Sequence, residues 1–260
     1  MGTVVLGAGG RLGRLLRPVF PDTATWKTRS DTDVLDMESL KQALTGADTV
    51  ICLAGVTHTS AQPMEMNATI AGRVLDSAEA VGAGRVILFS SAAVYGHTPS
   101  PLFEAGPVAP TTPYGHAKLA METIAAHHPH PNTTLRLGNV AGADAILGNW
   151  KPGFFLDTFA DGTTPRRSYI GPIAIARLLC EMTGIMTLPK LINVATPGTV
   201  QMGQLLDAAE LPWQSRPASD ATVADVALDT GTLEKLTSFD PNDSTAHGIV
   251  ADWHAAVNAQ

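Results

Sequence analysis

The sequence predicts an α/β fold in which a doubly wound parallel sheet is covered by helices on both faces. Short β-type runs alternate with helical patterns through the first half of the chain, which is typical of βαβ units. A glycine cluster joins the first of these runs to the first helical pattern. With 260 residues, the chain is long enough for one such core and a small additional lobe.

Five β-type runs are predicted to form the strands of the first half: Thr3–Leu6, Thr23–Trp26, Thr49–Ala54, Arg85–Ser90 and Leu135–Val140. The first helix is predicted from apolar residues that recur at helical spacing: Leu12, Leu15, Leu16, Val19 and Phe20. Three further helices are expected at 38–44, at 66–80 and from 114 to just before Pro129. Five prolines between Thr98 and Pro113 indicate a surface loop.

After Val140 the pattern loosens, and Gly, Asn and Pro are scattered through 142–165. A helix at 173–182 and a strand at 191–194 are expected to return to the sheet, and another helix is predicted at 200–210. We therefore expect a core of residues 1–140 to which 170–195 returns. Residues 141–169 and 196–260 would form a small C-terminal lobe.

The bulk composition excludes several classes of protein. The 17 Lys and Arg residues against 24 Asp and Glu give a formal charge of −7, the wrong sign for a nucleic-acid-binding surface. Cys52 and Cys180, the two cysteines, form no disulfide framework or metal-binding spacing, so a reducing, cytoplasmic location and no metal are expected. No apolar stretch approaches the ~20 residues that span a bilayer, and no signal-peptide pattern follows Met1.

The glycine cluster has the spacing G-x-x-G-x-x-G and consists of Gly7, Ala8, Gly9, Gly10, Arg11, Leu12 and Gly13. Glycines here permit a tight turn and let backbone N–H groups approach a pyrophosphate at the positive end of a helix. Similar turns also occur for packing alone. Because this cluster lies between a strand and an amphipathic helix, it favours a Rossmann-like nucleotide-binding core.

A second pattern places Tyr114 and Lys118 four residues apart, on one face of a predicted helix. A cationic Lys118 would lower the pKa of the Tyr114 phenol, which could then exchange a proton with a substrate near neutral pH. Alternatively, Tyr114 merely starts a helix and Lys118 is solvated. That alternative must also account for Ser91, which follows a buried strand where side chains face the ligand crevice.

These motifs, with the segment 137–142, resemble the extended short-chain dehydrogenase/reductase family, also called NAD-dependent epimerase/dehydratases, over nearly the whole chain. The resemblance implies that Ser91 hydrogen-bonds the reacting oxygen, Tyr114 is the acid/base, and Lys118 holds the nicotinamide ribose and lowers the pKa of Tyr114. Further residues implied to contact the cofactor or support the site are Asp33, Val34, Leu53, Ala54, Gly55 and Asn67.

The residues after the second strand bear on the choice of cofactor. NAD-dependent enzymes present Asp or Glu to the ribose hydroxyls at this place. This chain instead has Lys27 and Arg29, which could pair with a 2′-phosphate, so NADP is favoured. Asp31 close by keeps NAD open.

The resemblance implies less about the substrate, for which we expect a sugar or a sugar nucleotide. Ala92 and Ala93 replace the acidic pair of sugar-nucleotide 4,6-dehydratases, so dehydratase activity is not expected. Asn139, Arg167 and Arg216 are assigned to the substrate site, the two arginines as binders of a diphosphate. Both arginines could equally be surface charges.

Two features of this lobe depart from the resemblance. Gly171 and Ala174 stand where a His and an Asp are usual, and the lobe is short. A free sugar or sugar acid therefore remains an alternative substrate. The predicted reaction is hydride transfer with a nicotinamide cofactor, with a 4-epimerase or a non-catalytic nucleotide sensor as alternatives.

Two further expectations concern histidines and assembly. The cluster of His127, His128 and His130 is interpreted as a solvated helix end, and His58 as an unassigned site candidate. The resemblance implies a homodimer through the third and fourth helices, with four apolar candidates that could equally pack inward: Ile70, Val74, Met121 and Ile124.

Overall fold

The structure, a computed structural model, describes residues 2–21, 23–57 and 62–260. Its strands are β1 (Thr3–Leu6), β2 (Ala24–Lys27), β3 (Thr49–Cys52), β4 (Arg85–Ser91), β5 (Asn132–Leu137), β6 (Asn139–Val140), β7 (Phe154–Thr158), β8 (Arg166–Arg167), β9 (Tyr169–Ile170), β10 (Leu191–Val194), β11 (Val200–Gln201), β12 (Trp213–Pro217) and β13 (Asp225–Val226). Its α-helices are α1 (Arg11–Leu16), α2 (Met37–Leu44), α3 (Met66–Val81), α4 (Pro113–His127), α5 (Pro172–Gly184), α6 (Met202–Ala208) and α7 (Ala246–Asn258).

The central sheet confirms the predicted α/β fold, a Rossmann-like doubly wound parallel sheet. Six parallel strands lie in the order β2-β1-β3-β4-β5-β10. The chain moves outward from β1 to β2 and then returns to the other side of β1 to form β3. In an open sheet of this kind, a ligand crevice lies at the carboxyl ends of the strands beside this reversal.

The two faces of the sheet are covered by different helices. On one face, Val4 of β1 packs in a cluster with Leu40 of α2, Val74 of α3 and Met121 of α4. On the other face, the neighbouring Val5 belongs to a cluster that includes residues of α1 and α5. This alternation along one strand is the two-residue period of a sheet that is buried on both sides.

Several boundaries differ from the sequence prediction. β5 begins at Asn132 rather than Leu135, because Asn132, Thr133 and Thr134 are polar residues that are nevertheless buried in the sheet. The helix predicted at 200–210 is instead the short strand β11 followed by α6. The loose segment 142–165 contains β7, which pairs in parallel with β12.

The C-terminal lobe has its own apolar core, which includes Leu156 of β7, Leu205 of α6 and Ile249 of α7. It also contains a small sheet in the order β11-β8-β13. Asp252 of α7 accepts hydrogen bonds from the backbone N–H groups of Ile173 and Ala174, at 2.7 and 3.0 Å. These bonds cap the N-terminus of α5 and attach the lobe to the central sheet.

Most of the apolar residues that were candidates for a dimer contact pack inward. Ile70, Val74 and Met121 are buried in the chain's own core, so they cannot form the expected dimer contact, whereas Ile124 is 41% exposed.

Among the helices of the described residues, none has the length and apolar character that a membrane crossing requires.

Candidate active site

The glycine turn after β1 is shaped by close backbone approaches. Gly7 has a φ of +90°, and a Cβ there would lie 2.6 Å from the backbone nitrogen of Ala54. A Cβ on Gly13 would lie 2.5 Å from the carbonyl oxygen of Gly7, so this glycine lets α1 pack against the turn. At Gly9 a Cβ would meet nothing within 4 Å among the described residues. The turn therefore presents open backbone at Gly9, as a pyrophosphate-binding turn requires.

A cavity of about 460 Å³ lies beside this turn at the carboxyl ends of the first strands. Most of the predicted cofactor residues line it: Gly7, Gly9, Gly10, Lys27, Arg29, Asp33, Val34, Leu53, Ala54 and Gly55. The lining also includes residues that the sequence analysis did not assign to the cofactor: Leu6, Thr28, Ser30, Thr32, Leu35, Gln62 and Ile70. The Thr32 hydroxyl is buried and has no hydrogen-bond partner among the described residues. The cavity thus offers an amide turn, two cations and a spare hydroxyl, a donor set that fits a dinucleotide.

Five of the predicted cofactor residues do not line this cavity: Tyr114 and Lys118, which lie in α4, and Arg11, Leu12 and Gly13. Arg11 donates a hydrogen bond from Nη1 to the carbonyl of Ala143 at 3.2 Å, Leu12 packs toward the core, and Gly13 serves close packing. Arg14, which the sequence analysis did not single out, donates a hydrogen bond from Nη1 to the carbonyl of Gly9.

The acidic residue after β2 is held within its own turn. Asp31 Oδ2 accepts hydrogen bonds from the Thr28 backbone N–H at 2.8 Å and from the Thr28 hydroxyl at 2.6 Å. These bonds lower the pKa of Asp31, and its side chain does not line the cavity. Lys27 and Arg29, by contrast, do line it.

The three predicted catalytic residues lie together. Ser91 ends β4, where its hydroxyl accepts a hydrogen bond from the N–H of Ala93, and its side chain lies beside the hydroxyl of Tyr114 in the first turn of α4. Thr112 caps this helix by accepting a hydrogen bond from the N–H of Gly115 at 3.1 Å. One turn along α4, Lys118 Nζ lies 5.8 Å from the centroid of the Tyr114 ring.

The structure does not show the expected lowering of the Tyr114 pKa by Lys118. Burial raises the pKa of Tyr114, although the neighbouring Ser91 side chain opposes this effect. Burial also lowers the pKa of Lys118 to about 8. The Lys118 ammonium donates hydrogen bonds to the carbonyl of Phe89 at 2.8 Å and to Asn67 Oδ1 at 3.2 Å. Its charge is therefore directed at protein acceptors, and desolvation dominates the pKa of Tyr114.

Asn67 connects the catalytic lysine to the loop after β3. Its Nδ2 donates hydrogen bonds to the carbonyls of Val56 and Met64, and its Oδ1 accepts from the N–H of Val56 and from Lys118. A Cβ on Gly55 would lie 2.9 Å from Asn67 Oδ1 and 3.5 Å from Lys118 Nζ. The cavity lining and the catalytic group therefore meet at Gly55.

A buried polar network that the sequence analysis missed supports the same strand end. Glu122 of α4 accepts a hydrogen bond from the Ser90 hydroxyl at 2.5 Å and forms a 2.7 Å ion pair with Arg136 of β5. Arg136 also donates to the hydroxyl of Tyr95, which in turn donates to Asn193 of β10. Two features of the sequence could have indicated this network: Glu122 follows Lys118 by four residues on the same helix, and Arg136 lies within a strand.

The predicted substrate residues all contact other parts of the protein. The Asn139 side chain lies beside the hydroxyl of Tyr169, which donates a hydrogen bond to Asp144 at 2.6 Å. Arg167 donates to the carbonyls of Arg166 and Val223, at 2.7 and 2.9 Å. Arg216 Nε lies 2.5 Å from Asp157 Oδ1.

The small residues at 171 and 174 have a structural explanation. A Cβ on Gly171 would lie 2.2 Å from the carboxyl carbon of Asp252, the residue that caps α5. Ala174 donates its N–H to that carboxylate. The space that larger side chains would occupy at these positions is therefore filled by Asp252.

The histidine prediction is wrong for two of the three residues. His128 Nε2 lies 3.1 Å from Asp76 of α3, and the His130 side chain is buried, whereas His127 is exposed. Within the described ranges, no group of three or more His, Cys, Asp and Glu residues is arranged to hold a metal ion. His58 lies outside the described residues.

Comparison with protein families gives one match, in which residues 4–157 fit the profile of the NAD dependent epimerase/dehydratase family. A comparison with curated protein sequences gives no match.

Among solved structures, the dTDP-glucose 4,6-dehydratase of Streptomyces venezuelae is 18% identical, with a TM-score of 0.76 and coverage of 99% of this chain and 97% of that one. The UDP-N-acetylglucosamine 4-epimerase of Methanobrevibacter ruminantium is 19% identical, with a TM-score of 0.76 and 98% of each chain covered. The dTDP-4-dehydrorhamnose reductase of Bacillus anthracis, in complex with NADP, is 16% identical, with a TM-score of 0.78 and coverage of 98% and 99%. At these identities the likeness establishes the fold alone.

Proposed function

Because the chain belongs to the NAD dependent epimerase/dehydratase family, we propose that it is an NADP-dependent oxidoreductase. Its substrate would be a sugar or sugar nucleotide, oxidised or reduced at a carbon that bears a hydroxyl or carbonyl group. The observation that carries the proposal is the grouping of three side chains: Ser91 lies beside the Tyr114 hydroxyl, and Lys118 lies one helical turn away. This arrangement lies at the carboxyl end of β4, on the edge of the sheet where the dinucleotide-fitting cavity opens.

In the proposed reaction, Tyr114 exchanges a proton with the substrate oxygen. Because burial raises the pKa of Tyr114, its phenol is protonated at neutral pH and is ready to donate to the oxygen of a carbonyl that is being reduced. Ser91 supplies a second hydroxyl next to the phenol and would hydrogen-bond the same oxygen. In the oxidative direction, the phenol would be regenerated by the proton that leaves the substrate hydroxyl.

When bound, the nicotinamide cofactor supplies or accepts the hydride. Two of the three N–H donors of Lys118 bond to Phe89 and Asn67. We assign the third to the ribose of the cofactor. Lys118 would therefore act mainly by binding, and Asn67 by holding it in place.

The preference for NADP rests on the loop after β2. Lys27 and Arg29 line the cavity, and a guanidinium is well suited to a phosphate group. Asp31, the carboxylate that kept NAD open, is bonded to Thr28 and does not line the cavity. These contacts support recognition of a 2′-phosphate over recognition of free ribose hydroxyls.

The proposal is tested by assaying sugars and sugar nucleotides with NADPH and NADP⁺ while following nicotinamide absorbance. Stoichiometric oxidation or reduction of the cofactor with product supports it. Conversion between epimers without net change in the cofactor would identify a 4-epimerase that uses the same residues. Tight NADPH binding without turnover of any substrate would identify a nucleotide sensor.

A further inference from the structure

The net charge of the chain is concentrated in the C-terminal lobe. Residues 141–169 and 196–260 contain five Lys and Arg against twelve Asp and Glu, a balance of −7 that equals the charge of the whole chain. The remaining residues contain twelve of each sign. The lobe that is proposed to cover the substrate is thus strongly anionic, while the sheet that carries the cofactor cavity is neutral.

The first arginine assigned to the substrate is neutralised by its neighbour in the sheet. Arg216 of β12 and Asp157 of β7 are directly opposite each other in the strand register. Their side chains form an ion pair, and the Thr222 hydroxyl donates a second hydrogen bond to Asp157 at 3.1 Å. The pair is therefore part of the strand pairing and carries no net charge.

Arg167, the second arginine assigned to the substrate, is hydrogen-bonded to backbone carbonyls within the lobe. The Arg167 guanidinium donates hydrogen bonds to the carbonyls of Arg166 and Val223, and burial lowers the pKa of Arg167. Arg166 bonds to Thr199 through Nε and Nη2. The two remaining cations of the lobe, Lys151 and Lys235, are exposed and lie outside both small sheets of the lobe.

From this charge distribution we propose that the substrate is an uncharged sugar without a phosphate group, rather than a nucleoside-diphosphate sugar or a sugar acid. The inference rests on the proposed function, because it names the substrate class of the same site. An anionic substrate would approach a lobe of the same sign, and its phosphates would have to compete with Asp157 for Arg216 and with backbone carbonyls for Arg167. Hydroxyl groups, in contrast, can be bound by the carboxylates and carbonyls that dominate the lobe.

Calorimetric titration of the NADP-loaded protein with UDP and dTDP tests this inference directly, because loading fills the dinucleotide cavity. We expect dissociation constants weaker than about 1 mM even at low ionic strength, where attraction to a cationic site would be strongest. A dissociation constant tighter than about 1 mM for either nucleotide would overturn the inference. NADPH binding to the same preparation confirms that the protein is folded.

The variant Asp157→Asn tests the same inference in the opposite direction, because it should improve the binding of UDP. The substitution removes one negative charge and releases Arg216 from its ion pair. We expect UDP to bind this variant about tenfold or more tightly than it binds the wild type, as removal of an unfavourable charge contact allows. Asp161→Asn removes a more exposed carboxylate of the same lobe that bonds within its own turn, to Thr163, and should not change UDP binding. An equal effect of the two substitutions, or none from Asp157→Asn, would contradict the assignment of Asp157.

Turnover separates this inference from the proposed function. Activity with free aldoses and none with their nucleoside-diphosphate counterparts supports both. Activity restricted to nucleoside-diphosphate sugars would leave the oxidoreductase proposal standing and overturn the uncharged substrate. The UDP titration gives its result even if no substrate is turned over, so failure of the proposed function does not obscure it.

Discussion

Asn67 and Lys118, which are 51 residues apart in the sequence, meet in the protein interior, where Lys118 Nζ donates a hydrogen bond to Asn67 Oδ1 at 3.2 Å. Both side chains are almost fully buried, at 2% and 6% exposure. Asn67 lies in the first turn of α3 and Lys118 on α4, so the bond links the two helices. The bond lies next to Gly55, which lines the cavity. A neutral amide is thus the partner of a buried ammonium whose pKa is about 8.

This contact predicts a pH dependence of activity. Lys118 is cationic below its pKa of about 8, so kcat/KM should be steady through neutral pH and should fall as the pH rises through about 8. Asn67→Asp would place a carboxylate beside the ammonium and favour its charged form, which should move this fall to higher pH. Cys52, Glu122 and Tyr114 also face Lys118 and are unchanged in the variant. Identical pH–rate profiles for wild type and Asn67→Asp would contradict the assignment.

Arg29→Ala tests the origin of cofactor preference. Loss of a charge-assisted contact with the 2′-phosphate should weaken NADPH binding by about tenfold or more, while NADH binding should hardly change. Fluorescence titration with both cofactors measures the effect. Asp31→Asn is the matched control, and it should leave NADH binding unchanged because Asp31 bonds to Thr28. A selective loss of NADH binding in Asp31→Asn would indicate a ribose-binding carboxylate and an NAD enzyme.

Glu122→Gln should be strongly destabilising. It leaves the Arg136 guanidinium buried without a counter-charge, which typically costs about 3–5 kcal/mol in the free energy of unfolding. The exposed ion pair between Glu38 and Lys41 has the same 2.7 Å separation, and Glu38→Gln should cost less than about 1 kcal/mol. Urea unfolding of both variants gives the comparison. Equal losses of stability would show that burial of the first pair is not what matters.

Gly171→Ala tests the contact between the lobe and α5. The new methyl group would overlap the Asp252 carboxylate, so either the cap of α5 or the position of α7 must shift, at a cost of about 1–3 kcal/mol. Gly184 ends the same helix and has nothing within 4 Å of a Cβ among the described residues. Gly184→Ala should therefore be neutral or slightly stabilising in thermal unfolding. A neutral Gly171→Ala would mean that Asp252 does not hold this position.

The sequence was most informative where function depends on local spacing. The glycine turn, and the four-residue interval between Tyr114 and Lys118, are set by the backbone over one or two turns, so a pattern reveals them. Contacts between distant segments left no such signal. Arg216 and its partner Asp157 are 59 residues apart in the sequence. They meet because the register of β7 and β12 places them opposite each other.

Burial of polar residues was the second source of error. Asn132, Thr133 and Thr134 do not look like a core strand, yet all three are buried in β5. The sign of the pKa shift of Tyr114 was also misjudged, since the desolvation of a phenol depends on everything packed around it rather than on one neighbouring cation.

The central claim is that the Tyr114 hydroxyl transfers the proton in the reaction, and the most direct test is the turnover of Tyr114→Phe. The substitution keeps the ring and its packing but removes the hydroxyl that lies beside Ser91. On a substrate identified with the wild type, kcat should fall by about 10²–10⁴-fold, while NADPH binding, which depends on the glycine turn and the adjoining cavity, should change little. Near-normal turnover of Tyr114→Phe would contradict the account.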